Sequence, residues 1–180
     1  LAVGLGETDA RGQEGGVAEA VLRKMRSLDF DQVWQDELGN VIGVKRGAHP
    51  GARLLFDAHM DVVPVTTPEA WSCDPFGAEL RDGRIYGRGA CDTKASLAAM
   101  VVGLGRLPRD AFRGEVALVA SVGEEILEGA GLAAALDALR PDGVVIGEPS
   151  GCQLGVGQRG RARLLSKAAG RAAHSSSPAP

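Results

Sequence analysis

Residues 57–61 read D-A-H-M-D directly after the apolar run Leu54-Leu55-Phe56, so an imidazole and two carboxylates close a segment suited to a buried strand. The same arrangement recurs. Glu124 and Glu125 follow the run E-V-A-L-V-A-S-V, and Glu148 follows G-V-V-I-G. Asp92 stands in G-R-G-A-C-D-T-K, after a glycine-rich turn and before a helical pattern. His59 and Asp61 sit at i and i+2 of a strand end and so point to the same side, where one can ligate a metal while the other orients it. Carboxylates gathered with one imidazole in a partly desolvated place repel one another unless cations are present. A divalent metal resolves that, and a mixed imidazole and carboxylate set suits zinc, or cobalt or manganese, better than magnesium or calcium. Each piece alone has a plainer reading. H-x-D can be a surface loop, E-E a solvated pair, Asp92 a helix N-cap, and Glu148 before Pro149 a strand-end turn. Their shared polarity favours the metal site.

The elements that must position these residues follow from periodicity. Val17, Val21, Met25 and Leu28 recur on one helical face over residues 14–28. Runs around Val33-Trp34 and 41–44, separated by E-L-G-N, predict a hairpin with a tight turn at Gly39-Asn40. Buried strands are predicted over 53–58, 115–122 and 143–147, with helices over 93–107 and 130–139 between them. Residues 64–83 read as a long loop and Arg84-Ile85-Tyr86 as a short strand. Strands apolar on both faces and alternating with helices imply an α/β fold, a mostly parallel sheet with helices on both faces. Ligands bind such sheets outside the carboxyl ends of the strands, which is where the acids and the histidine fall. At Gln158 the texture turns to basic alternation through Arg159, Arg161 and Arg163, read as the solvated face of a strand. A first domain is therefore expected over 1–157 and the start of a second over 158–180.

With 180 residues, 44% of them apolar, the chain can bury one sizeable core. A net charge of −3 from 20 basic and 23 acidic residues, in no long block of one sign, gives no reason to expect nucleic acid or a membrane surface as partner. No apolar stretch approaches the roughly 20 residues that span a bilayer, and the first residues do not resemble a signal peptide, so a cytoplasmic location is the default expectation. Cys73, Cys91 and Cys152 are widely spaced and read as reduced thiols, with Cys91 a small packed residue. His49, between Gly47-Ala48 and Pro50, reads as a turn residue.

H-M-D, G-R-G-A-C-D-T-K, G-E-E and I-G-E-P, in that order, resemble the motifs of the dinuclear zinc hydrolase family of acetylornithine deacetylase, succinyl-diaminopimelate desuccinylase, aminoacylase and carboxypeptidase G. D-E-L-G-N-V-I-G, W-S-C-D-P-F and D-G-R-I-Y-G-R-G support the resemblance, which runs from Gln13 to Pro178. It implies a zinc-peptidase-like fold followed by a small α+β lid and dimerisation domain. It also implies His59 and Glu148 as ligands of one zinc, Asp92 as the bridging carboxylate, and Glu125 as a ligand of the second. By the same resemblance Asp61 orients His59, and Glu124 stays off the metals as general base. His174, in A-A-H-S-S-S-P, matches a lid histidine that helps stabilise the oxyanion, often across a homodimer. The implied reaction is hydrolysis of an amide in N-acyl amino acids or small peptides by water activated between two zincs. Family members supply a further histidine to the second zinc from a later segment. No residue after His174 fills that role, so the chain is expected to be an incomplete, N-terminal portion with weak activity or none. A magnesium or manganese phosphohydrolase and a metal-binding domain without turnover are the competing readings.

Overall fold

The computed structural model describes residues 14–127 and 129–160. Seven strands and four helices follow in the order α1 (Gly15–Arg26), β1 (Gln32–Gln35), β2 (Val41–Arg46), β3 (His49–His59), β4 (Glu79–Arg81), β5 (Arg84–Tyr86), α2 (Ala95–Arg106), β6 (Arg113–Ser121), α3 (Glu124–Leu127), α4 (Ala130–Leu139) and β7 (Gly143–Ile146). Two compact units divide at Pro149/Ser150. The elements above all belong to the first. Of the second, residues 150–160 are described, and they hold a hydrogen-bonded turn over Ser150–Gln153.

The main sheet has the order β1-β2-β6-β3-β7. β6, β3 and β7 run parallel, while β1 and β2 add an antiparallel edge. The sheet is thus mixed, with the expected parallel arrangement in its core. Strand alternation divides the core in two. One face packs Val17, Val21 and Met25 of α1 and Leu97 and Val101 of α2 against Ala58, Leu118 and Ala120. The other packs Leu132, Ala135 and Leu139 of α4 against Leu55, Ala117 and Val119. Crossovers through α2 and α4 join the parallel strands and bring all three carboxyl ends to one edge.

Several expectations need correction. β7 is apolar but not buried: Val144, Val145 and Ile146 are 43%, 43% and 56% exposed. It pairs with β3 on one side only, and an edge strand lacks a neighbour to cover it. Residues 64–83 are not all loop, because β4 pairs with β5 in a two-stranded antiparallel ribbon. His49 begins β3 rather than a turn. Cys91 is exposed rather than packed. Arg161, Arg163 and His174 lie outside the described residues.

The β1–β2 hairpin forms, but its connection is a five-residue loop, since Gln35 pairs with Val41. Gly39 takes a positive φ of 102°, a conformation that glycine adopts without strain. Asp36 closes the loop by accepting from the backbone N–H groups of Leu38 and Asn40 at 3.0 and 2.9 Å. Asn40, fully buried, ties this loop to the site edge. Its side-chain amide donates to Asp36 Oδ2 at 2.7 Å and to the Gly131 carbonyl at 3.0 Å, and its Oδ1 accepts from the Val122 N–H at 3.0 Å. One side chain therefore joins the hairpin, the end of β6 and the start of α4. Asn40→Ala leaves one buried and two part-buried polar groups without this partner and is expected to cost about 2–4 kcal/mol in urea unfolding; a loss under about 1 kcal/mol would show that the junction holds without it.

Candidate metal centre

The site is built at the carboxyl edge of β6, β3 and β7. Register sets His59 opposite Ser121, and Asp57 opposite Ile146, so β3 and β6 end level and β7 ends two residues earlier. His59 Nε2 is 3.0 Å from Asp92 Oδ1, and 3.9 Å from both Glu124 Oε2 and Glu148 Oε1. Ligating atoms of His59, Asp92 and Glu148 all lie within 4.8 Å of one another, the one such triad among the described residues. The imidazole is buried, with 1% of its side chain exposed, whereas Asp92 and Glu148 are 52% and 44% exposed. The chemistry thus has a fixed floor and an open mouth.

Asp92 reaches the triad because the chain does not begin its helix there. Gly89 turns with φ 77°, and a side chain at that position would meet Val62 Cγ1 at 2.5 Å. Asp92 and Thr93 then keep non-helical backbone, the peptide between them is cis, and α2 starts at Ala95. Asp92 is therefore not a helix N-cap. Thr93, fully buried, donates from its hydroxyl to the Gly147 carbonyl at 2.6 Å, which locks the Asp92 segment to the residue before Glu148.

Asp61 holds the other half. Its carboxylate accepts from the backbone N–H of Glu124 at 3.1 Å and of Glu125 at 3.0 Å, and Oδ1 lies 3.4 Å from His59 Nδ1. The same ring nitrogen is 3.0 Å from the Asp61 carbonyl, so donation from Nδ1 leaves Nε2 facing Asp92, Glu124 and Glu148. Burial works against the charge of Asp61, but the His59 ring and the two backbone amides hold its carboxyl below the usual range.

Charge is crowded throughout. Burial by itself lowers the basicity of His59, yet the bond to Asp61 and the charges of Asp61, Asp92 and Glu148 outweigh it and bring its pKa to about 9. Burial raises Glu148 and Glu125, with the charge of Asp92 adding to both. Burial likewise pushes Asp57 up to about 6. In the free chain a proton on His59 thus offsets the carboxylates. A divalent cation does the same more fully, and one imidazole with several convergent carboxylates is a donor set that such an ion fits. Binding displaces the proton.

The structure brings Asp61, Asp92, Glu124 and Glu148 within 4 Å of the His59 ring, and the Glu125 backbone N–H donates to Asp61. Glu125 stands outside the triad but next to Asp92 in its charge environment. Sequence reasoning assigned no role to Thr93, Asn40 or Asp57. Asp57 was open to discovery, because the two-residue period of a strand puts it on the face of His59.

Comparison with known proteins comes from three directions. Residues 55–169 match the family model described as peptidase family M20/M25/M40. The chain is 34% identical over 147 residues to the succinyl-diaminopimelate desuccinylase of Parvibaculum lavamentivorans, covering 76% of this chain and 37% of that one. It is 33% identical over 182 residues to the desuccinylase of Cereibacter sphaeroides, covering 92% of this chain and 47% of the relative. The chain therefore spans less than half the length of the curated relatives it matches. Among solved structures, the dipeptidase Dug1p of Saccharomyces cerevisiae superimposes with a TM-score of 0.60 at 17% identity, over 77% of this chain and 34% of that chain. A dinuclear metal-binding peptidase of Bacillus subtilis gives 0.52 at 21% identity, over 74% and 36%. These two structures share the fold.

Asp61→Ala should weaken zinc binding by about 10–100-fold in isothermal titration, since it frees both the imidazole and the Glu124-Glu125 turn; affinity equal to that of the unaltered chain would remove Asp61 from the site.

Proposed function

From the premise that the chain belongs to peptidase family M20/M25/M40, we propose that it carries the metal-binding part of a hydrolase that cleaves amide bonds of N-acyl amino acids or small peptides. The observation that carries this reading is the triad of His59, Asp92 and Glu148 with Glu124 only 3.9 Å from the same imidazole nitrogen. An acid this close to the triad and outside it has the placing of a proton acceptor. His59, Asp92 and Glu148 would hold one ion, and Glu125 would serve a second. Divalent ions bound there supply Lewis acidity, polarising the scissile carbonyl and making water more acidic.

The chain's own residues do the rest. Asp61 fixes the ring of His59 and, through the backbone amides of Glu124 and Glu125, the turn that aims both glutamates. Glu124 is 40% exposed, so solvent and substrate reach it. It takes a proton from the attacking water and returns it to the leaving nitrogen. His174 is assigned to the oxyanion on the basis of its motif, from a lid that includes residues 158–180, with a homodimer as the expected assembly. Zinc is the favoured ion, with cobalt or manganese as substitutes. The desuccinylase relatives favour an N-acyl amino acid over a longer peptide. None of the helices described is long and apolar enough to cross a membrane. The relatives continue well beyond the length of this chain, so the activity of the whole protein belongs to this proposal and not to the 180 residues alone.

The decisive variant is Glu124→Gln, compared with the unaltered protein. Zinc affinity should change little, while hydrolysis of N-acetyl and N-succinyl amino acids by the active form falls about 10²-fold or more. Activity equal to that of the unaltered protein would exclude Glu124 as the base.

A further inference from the structure

Two buried polar side chains on the central strands have no part in the site as described. Asp57 is 4% exposed and Ser121 2%, and neither Asp57 Oδ1 nor Ser121 Oγ has a hydrogen-bond partner of normal geometry in the protein, although the Ser121 hydroxyl stands near enough to the Asp57 carboxyl to oppose the rise that burial causes. Polar atoms withdrawn from water are nearly always paired, and one left alone loses its hydration without return. Where two such atoms face one polar place, an ordered water commonly serves both. Their position is specific. Alternation sets Asp57 on the same face of β3 as His59, two residues earlier, and register sets Ser121 opposite His59 on β6. The backbones of the same two residues hold the strand ends. Gly147 N–H donates to the Asp57 carbonyl at 2.7 Å, and Met60 N–H donates to the Ser121 carbonyl at 2.8 Å. Glu148 follows Gly147, and Asp61 follows Met60, so any rotation of Asp57 or Ser121 is passed to one acid on each side of His59.

We propose that Asp57 and Ser121 are positioning residues of the metal centre, sharing one buried water that ties the ends of β3 and β6 beneath His59. The water donates to Asp57 Oδ1 and bonds the Ser121 hydroxyl. This rests on the reading of the triad as a divalent-cation site and extends it to residues that never touch the ion. An amide oxygen at position 57 accepts from the same water, whereas alanine at either position removes a partner and lets the strand ends shift.

The test uses Co2+ alone as probe, titrated into the 180-residue chain and read by its visible absorption bands, which report ligand geometry. Asp57→Ala and Ser121→Ala should each weaken Co2+ binding by about tenfold and shift the bands, with Asp57→Asn within about threefold of the unaltered chain. The double alanine variant should bind no more weakly than Asp57→Ala, because both changes remove one water. Unchanged affinity and bands in the alanine variants would overturn the proposal, as would Asp57→Asn behaving like Asp57→Ala, which would assign the effect to charge. Should Asp57→Ala fail to fold, Ser121→Ala and Asp57→Asn decide the matter by the same criteria. If the unaltered chain takes up no Co2+, the metal reading itself falls and takes this proposal with it, an outcome distinct from binding that the variants leave untouched.

Discussion

A single buried carboxylate joins the two halves of the site. Asp61 accepts from the backbone amides of Glu124 and Glu125 and faces the Nδ1 side of His59. The residue that orients the imidazole is thus also the one that folds the turn carrying the glutamates. Such a carboxylate is stable in the interior only while its donors stay in place. Its buried charge makes the imidazole more basic, and the more basic imidazole balances the acids on its other side. The geometry of His59, of the turn after β6 and of the acid crowd is therefore one coupled arrangement and not three local ones.

The sheet makes that coupling possible. Parallel pairing of β6, β3 and β7 forces their carboxyl ends to one edge, and the crossover helices that parallel pairing requires cover both faces. Backbone hydrogen bonds then fasten the ends together: Met60 to Ser121, Gly147 to Asp57, and the Thr93 hydroxyl to Gly147. Each acid leaves the sheet from a held point. This explains how side chains half exposed to solvent, such as Asp92 and Glu148, can stay within 4.8 Å of a buried histidine. The cost is electrostatic, since among the described residues the acids around His59 outnumber the positive groups, His59 and Lys94, that face them, a surplus that a bound cation would offset.

Much of this was legible in the sequence. The helical period of Val17, Val21 and Met25, the apolar runs ending at Ala58 and Val122, and the acids placed straight after them are strong local signals. What could not be read depended on neighbours. The run 143–147 is as apolar as a buried strand, but burial is a property of what packs against it, and β7 lies at the edge. β4 is three exposed residues with no alternation to reveal it. Asp92 carries every local mark of an N-cap; the turn at Gly89 and the contact between Thr93 and Gly147 keep its backbone extended. Ser121 looks unremarkable in a strand pattern, and only its burial without a partner of normal geometry gives it meaning.

The most direct measurement is a crystal of the 180-residue chain soaked in zinc, with anomalous diffraction collected at the zinc edge. The account predicts an anomalous peak about 2.0–2.2 Å from His59 Nε2 and from a carboxylate oxygen of Glu148 or Asp92. A peak held by other residues, or no peak at this edge of the sheet, would contradict it.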